Sequence, residues 1–204
     1  MAKSRILRDK NPRLRVPDAV QRSEAEKHMP QNPPIIAGTR IGHVHLKVAD
    51  LERAVGFYRD TLGFDVTARY GDQAAFLSAG GYHHHIGLNT WESQGGSAPP
   101  AGCTGLYHFA INYPERRDLA VALKRLFDHG WGIDGASDHG THEAIYLHDP
   151  DGNGIELAWD RAPERWLCNG QMVMARRALD FAGLLGELGN PETERLLPTL
   201  ANYT

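Results

Sequence analysis

This sequence of 204 residues has few cysteines, no long apolar run and only a small net charge. Its two cysteines have no motif that pairs them, so a disulfide framework is not expected, and we predict a reducing compartment, the cytoplasm. No segment approaches the roughly 20 apolar residues of a membrane-spanning helix, and the N-terminus lacks the apolar core of a signal peptide. The net charge of -3 gives no reason to expect a nucleic-acid partner.

Three regions of the chain differ in composition. Residues 1–36 are predicted to form an extended basic arm, because residues 1–28 hold eight Lys or Arg against four Asp or Glu. We interpret this arm as a solvated tail rather than a partner-binding element. Residues 37–160 carry the hydrophobic patterns of one domain, and residues 161–204 form a tail with an amphipathic helix near 176–188. That helix either caps the domain or forms a subunit contact, and we expect a homo-oligomer.

The domain repeats one order of elements, in modules at about 41–92 and 104–160. Each module begins with an alternating strand pattern, continues with a helix that ends at a glycine, and closes with three strand-like runs. The strands are predicted at about 41–48, 64–70, 73–78, 82–90, 106–111, 131–134, 142–148 and 154–160. This order predicts an α+β fold in which paired βαβββ modules form an open, curled, mixed β-sheet around a cavity, with the helices outside.

Three side chains could meet in that cavity. The first strand of each module carries a histidine, His43 or His108, and a pseudo-twofold axis would bring the two together. The turn chemistry of residues 149–154 predicts a hairpin with Tyr146 on one strand and Glu156 on the other. Two imidazoles and a carboxylate form the facial triad typical of non-haem Fe(II) oxygenases. A single strand histidine more often has a structural role, but the symmetric placement of these two favours ligation.

Other histidines compete for these roles. His45 shares a strand face with His43 but lies about 6.6 Å further along the strand, so one metal ion is not expected to bind both. In residues 83–85, strand alternation sends the middle ring opposite to its neighbours, so only one face of this run can look into the cavity. His142 and His148 are expected to be exposed on their strand or at its end.

Residues 41–160 resemble the vicinal oxygen chelate superfamily, which includes glyoxalase I, fosfomycin and bleomycin resistance proteins and type I extradiol dioxygenases. The segments GHVHLKVADL at 42–51 and FYRDTLGF at 57–64 are similar to the superfamily's usual first strand and helix. The extradiol dioxygenase signature is followed in order and spacing by His139, Ile145, Tyr146, Asp149, Pro150, Gly152 and Glu156. Ser137 departs from it at a position that carries no chemistry.

The resemblance implies a single-domain, catechol 2,3-dioxygenase-like enzyme that cleaves a catechol-type ring with O2. It implies metal ligands at His43, His108 and Glu156, which also selects His43 over His45. Fe(II) is the expected ion, and Mn(II) is the alternative.

The resemblance also implies catalytic residues around the metal. His139 and Tyr146 would hydrogen-bond the substrate oxygen and the oxygen species. His84 occupies the place of an acid/base histidine, with His85 as the neighbouring possibility.

Two other functions stay open at this stage. A glyoxalase-like metal-dependent lyase or isomerase would use a fourth protein ligand, usually a glutamate, from the last strand of the first module. There the sequence offers Glu92 only beyond the strand, which favours the dioxygenase. A non-catalytic small-molecule-binding resistance protein would often lack the triad, and all three ligand types are retained here.

Overall fold

The computed structural model describes residues 33–172 and 174–203, and residues 1–32 of the predicted arm lie outside the described residues. The larger of two compact units spans Ile41–Thr204 and contains all the candidate site residues. Within the described residues, no helix has the length and apolar character needed to cross a membrane.

The first module folds as a strand, a helix and three strands. Its elements are β1 (Val44–Lys47), α1 (Leu51–Gly56), a π-helical turn that continues α1 (Phe57–Thr61), β2 (Asp65–Tyr70), β3 (Ala74–Ser78) and β4 (Ile86–Asn89). Asp50 caps α1 by accepting a hydrogen bond from the Arg53 N–H. The four strands form one mixed sheet in the order β1-β4-β3-β2, with β1 parallel to β4.

The second module repeats this plan. Its elements are β5 (Phe109–Asn112), α2 (Arg116–Asp128), β6 (Gly135–Asp138), β7 (His142–His148) and β8 (Gly154–Asp160). Its sheet has the equivalent order β5-β8-β7-β6, with β5 parallel to β8. Two four-stranded mixed sheets with helices, not closed into a barrel, confirm the predicted α+β fold of paired βαβββ modules.

One predicted strand lies at the wrong position. The strand expected at 131–134 forms at Gly135–Asp138, because pairing with β7 begins where Gly135 lies opposite Tyr146. The preceding residues pack into the core instead: Ile133 is buried, and the ring of Trp131 lies 4.6 Å from that of Phe57.

The C-terminal region contains short elements. They are 3-10 turns (Pro163–Arg165, Pro191–Leu196 and Ala201–Tyr203), β9 (Leu167–Cys168), β10 (Gln171–Met172), α3 (Phe181–Gly186) and α4 (Leu197–Leu200). The helix predicted near 176–188 was too long: it begins at Phe181, after Asp180 caps it by accepting from the Gly183 N–H. Residues before it run beside β6, where the main chains of Asp138 and Arg177 form a pair of hydrogen bonds. The helix packs on α2 with Phe181, Leu184 and Leu185 buried.

The turn between β7 and β8 is fixed by a buried carboxylate. Asp149 accepts hydrogen bonds from the N–H groups of Asp151 and Asn153, at 2.9 and 2.8 Å. The Tyr58 hydroxyl of the first module donates to the same carboxylate at 2.9 Å. The hairpin is thereby tied to the π-helical turn that continues α1, and its second strand carries Glu156 at a defined position.

Candidate active site

Glu156 and His108 come together at the edge of the second sheet. His108 immediately precedes β5, and Glu156 lies on the neighbouring parallel strand β8, opposite Ala110. The Nε2 atom of His108 lies 2.9 Å from Oε2 of Glu156. The carboxylate side chain of Glu156 is only 10% exposed, whereas the imidazole of His108 is 31% exposed. The carboxylate is therefore mostly buried, and the imidazole is the more accessible member of the pair.

A glycine allows this close approach. Gly154 is the first residue of β8, and a Cβ built on it would collide with the carbonyl oxygen of Tyr107 and lie 3.1 Å from Cβ of His108. The chain before β5 can pass this near to β8 only because Gly154 has no side chain.

His139 and Tyr146 form a second pair in the same region. The predicted hairpin is confirmed, because Tyr146 on β7 lies directly opposite Glu156 on β8. The Tyr146 hydroxyl is 2.8 Å from Nε2 of His139, and Nδ1 of His139 is 2.8 Å from the carbonyl oxygen of Ala175. A carbonyl oxygen only accepts, so Nδ1 carries the proton and Nε2 of the neutral ring accepts from the tyrosine hydroxyl.

Two adjoining cavities, of about 910 and 420 Å³, both reach these residues and share His108, His139 and Tyr146. Burial raises the pKa of Tyr146 to about 12, and the negative charge of Glu156 adds to this effect. The tyrosine therefore keeps its proton at neutral pH and acts as a hydrogen-bond donor.

His142 is a residue whose position the sequence did not reveal. We expected it to be exposed, but it is half-buried, and its Nε2 lies 3.1 Å from Oε1 of Glu156. Its Nδ1 lies 2.8 Å from the hydroxyl of Thr141. Since a carboxylate only accepts, Nε2–H donates to Glu156, and Thr141 donates to Nδ1. The alternation of β7 was the available signal, because it places His142 on the same face as Tyr146.

His43 and His84 lie together in the first module. His43 directly precedes β1, and its ring centroid is 4.4 Å from that of His84, which lies in the turn between β3 and β4. Burial lowers the pKa of His84, and the neighbouring ring of His43 lowers it further. The lowered pKa favours the neutral form of the His84 ring.

His85 and His45, the sequence-based alternatives to His84 and His43, make other contacts. Nδ1 of His85 is 3.0 Å from the hydroxyl of Ser78, at the end of β3. His45 lies across Gly87, its register partner on β4, with its ring 5.8 Å from that of Phe76.

A well-placed fourth carboxylate is not found on β4 (Ile86–Asn89). Glu92 lies beyond the strand, is largely exposed, and pairs with Lys47.

The donor atoms fit part of a divalent metal site. Two ligands about 2.1 Å from one ion and at right angles to each other are about 3 Å apart, which matches the separation of His108 Nε2 and Glu156 Oε2. Among residues 33–172 and 174–203, no group of three or more His, Cys, Asp or Glu side chains is arranged to hold a metal ion. The structure thus brings together two members of the predicted triad, and it places the third, His43, beside His84 in the other module.

Comparison with known proteins gives a family for this arrangement. Residues 40–157 match the model of the Glyoxalase/Bleomycin resistance protein/Dioxygenase superfamily. The matched segment includes the first module, the second module as far as Leu157 in β8, and all six site residues predicted from the sequence.

Three proteins with similar sequences are dioxygenases by name. The chain is 43% identical over 162 residues to a catechol-2,3-dioxygenase of Bacillus subtilis (strain 168), which covers 78% of this chain and 55% of that protein. It is 34% identical to biphenyl-2,3-diol 1,2-dioxygenase 3 of Rhodococcus globerulus, over 59% of this chain and 63% of the relative. A manganese-dependent 2,3-dihydroxybiphenyl 1,2-dioxygenase of Geobacillus genomosp. 3 is 29% identical, over 61% and 39%. This chain spans about half the length of the Bacillus relative.

Solved structures support the fold. A glyoxalase/dioxygenase from Nostoc punctiforme superposes with a TM-score of 0.52 at 19% identity, covering 64% of this chain and 99% of that one. A glyoxylase/bleomycin resistance protein/dioxygenase domain from Frankia sp. EAN1pec gives 0.51 at 25% identity, covering 60% and 98%.

Proposed function

Because this chain belongs to the glyoxalase/bleomycin resistance protein/dioxygenase superfamily, we propose that it is a metal-dependent extradiol dioxygenase that cleaves a catechol-type ring with O2. One observation carries the proposal: the His108–Glu156 pair and the His139–Tyr146 pair line the same cavity. The names of the similar Bacillus and Rhodococcus enzymes support the same reaction class.

His108, Glu156 and His43 would hold the metal, with Fe(II) as the proposed ion and Mn(II) as the alternative. His108 and Glu156 already lie at ligand spacing. His43 is the proposed third ligand, because it holds the place in the first module that His108 holds in the second. It would have to approach His108 and Glu156 when the metal binds. A bound metal would lower the pKa of the catechol hydroxyls and hold the catechol and O2 next to each other.

Tyr146 and His139 are proposed to take up the proton that leaves the substrate. The Tyr146 hydroxyl donates to Nε2 of His139, so its oxygen is free to accept a hydrogen bond from a substrate hydroxyl. A proton leaving the substrate can therefore reach Tyr146 while the tyrosine proton moves to His139. The Ala175 carbonyl keeps the ring of His139 in the tautomer that this relay needs.

His84 is proposed as the second acid/base residue. Its lowered pKa favours the neutral ring, the form that a general base requires. His84 rather than His85 is preferred, because the ring of His84 lies against that of the proposed ligand His43.

Metal removal and restoration test this function. Chelator-treated protein should consume no oxygen with catechol and regain oxygen uptake when Fe(II) is added. Glu156→Gln should reduce the restored rate at least about 100-fold, since loss of a ligand exceeds the effect of losing its hydrogen-bond partner. Glu164→Gln, an exposed glutamate in the 3-10 turn after β8, is the matched control. Full activity in Glu156→Gln would reject the proposal, and turnover of a thiohemiacetal without oxygen uptake would favour the glyoxalase-like alternative.

A further inference from the structure

Residues 174–178 run along the free edge of β6, and three of them, Arg176, Arg177 and Ala178, line the larger cavity. The Asp138 N–H donates to the Arg177 carbonyl at 2.9 Å, and the Arg177 N–H donates back at 3.0 Å. The Ala175 N–H donates to the His139 carbonyl at 2.7 Å. Because main-chain hydrogen bonds hold this segment on the sheet, Arg176 has a fixed backbone position beside the candidate site.

The charges that line this cavity are unbalanced. Among the residues that the structure describes, Arg176, Arg177 and Asp134 are its charged lining residues, apart from histidine. The carboxylate of Asp134 is hydrogen-bonded to His148, with its Oδ2 2.5 Å from Nδ1. The described lining therefore contains two arginines against one carboxylate, and that carboxylate already has a partner.

Arg177 and Arg176 differ in what surrounds them. The charge of Arg177 acts on Asp138, a carboxylate that Arg161 binds through two hydrogen bonds of 2.7 and 3.2 Å. Arg176 is exposed, and among the side chains that the structure describes it has no carboxylate partner. Arg176 is thus the cation of this lining that is available to a ligand.

Arg176 also lies near the reacting end of the cavity. Burial and the charge of Glu156 raise the pKa of Tyr146, and the positive charge of Arg176 opposes them. Arg176 lines the same cavity as Tyr146 and His108, so it is placed to meet a group attached to a ring bound beside them.

We infer that this cavity receives the ring substituent of the substrate and that Arg176 selects catechols whose substituent carries a carboxylate. The inference rests on the proposed function, which places the catechol ring beside His108 and Tyr146, two residues that line this cavity. Its volume of about 910 Å³ leaves room for a side chain beyond a single ring. The planar fork of a guanidinium matches the two oxygens of a carboxylate.

Binding measurements on matched acids and esters test this selectivity. The full chain, loaded with Fe(II) under anaerobic conditions, is titrated calorimetrically with catechols that carry a carboxylate on a chain of one to three carbons, and with their methyl esters. At the best chain length the acid should bind about tenfold more tightly than its ester, as expected for a charge-assisted hydrogen bond. Arg176→Gln should bring this ratio close to one. Arg165→Gln, an exposed arginine outside the cavity, should keep it.

Equal affinities for acid and ester at every chain length would overturn the inference, and so would a ratio that survives Arg176→Gln. Oxygen uptake with unsubstituted catechol, measured on the same samples, tests the proposed function separately. Uptake combined with equal affinities rejects the carboxylate selectivity alone. A carboxylate preference that depends on Arg176, without any oxygen uptake, rejects the dioxygenase assignment alone.

Discussion

At the residue scale, the carboxylate of Glu156 is held from two sides. Its Oε2 faces His108 at 2.9 Å, and its Oε1 accepts from His142 at 3.1 Å. His142 is in turn oriented by the hydroxyl of Thr141. One oxygen is therefore fixed by the protein while the other remains directed at the proposed metal position, an arrangement that prepares a ligand before the metal arrives.

Removing His142 should weaken metal binding. We expect His142→Ala to lower the Fe(II) affinity about 10- to 100-fold, because an unanchored Glu156 loses its orientation. His142→Gln should restore part of the affinity, since its amide N–H can still donate to the carboxylate. Competition with a metal-binding dye measures the affinity directly, independently of turnover.

His129→Gln is the control for this experiment, because His129 is exposed at the end of α2. Unchanged metal affinity in a folded His142→Ala protein would show that Glu156 needs no such anchor.

At the element scale, the distance between β5 and β8 sets the distance between His108 and Glu156. Gly154→Ala should force the chain at Tyr107 away from β8, because the added Cβ would collide with a backbone carbonyl. Overpacking of this kind costs about 1–3 kcal/mol of the free energy of unfolding. A ligand displaced by about 1 Å can reduce kcat/KM roughly 100-fold.

Thermal unfolding and steady-state oxygen uptake, measured on the same Gly154→Ala preparation, check both effects. Gly105→Ala is the matched control, since a Cβ at that position meets no atom within 4 Å. A Gly154→Ala protein with the melting temperature and kcat/KM of the unmodified chain would contradict the proposed role of this close approach.

The order of elements could be predicted because it depends on local patterns. Alternation and helical spacing predicted the βαβββ repeat, and the turn at 149–154 predicted the hairpin whose two strands carry Tyr146 and Glu156. The errors arose where long-range pairing decides the structure. β6 starts at Gly135 because β7 pairs there, and α3 starts at Phe181 because the preceding residues bond to the edge of β6.

The candidate site was predictable only in part, for the same reason. The signature motif identified His139 and Tyr146, and the structure joins them by a hydrogen bond. The alternation of β7 places His142 on the same face as Tyr146, but its contact with Glu156 and the place of Arg176 in the cavity wall depend on how distant segments meet. Contacts between segments far apart in sequence are invisible to motifs and periodicity.

At the scale of the whole molecule, the two modules contribute different parts of the proposed site. The second module carries the His108–Glu156 pair and the hydrogen-bonded His139–Tyr146 pair, whereas the first carries the His43–His84 pair. The proposed ring cleavage would require both modules to act on one substrate. The central claim is therefore that this chain, loaded with metal, inserts oxygen into a catechol ring.

Mass spectrometry of the product formed under ¹⁸O2 tests that claim most directly. The Fe(II)-loaded full chain should convert catechol to a ring-opened product containing two atoms of ¹⁸O, when the sample is quenched before exchange with water. Glu156→Gln should form none of this product. Conversion of catechol without ¹⁸O in the product, or no conversion by the Fe(II)-loaded chain, would contradict the claim.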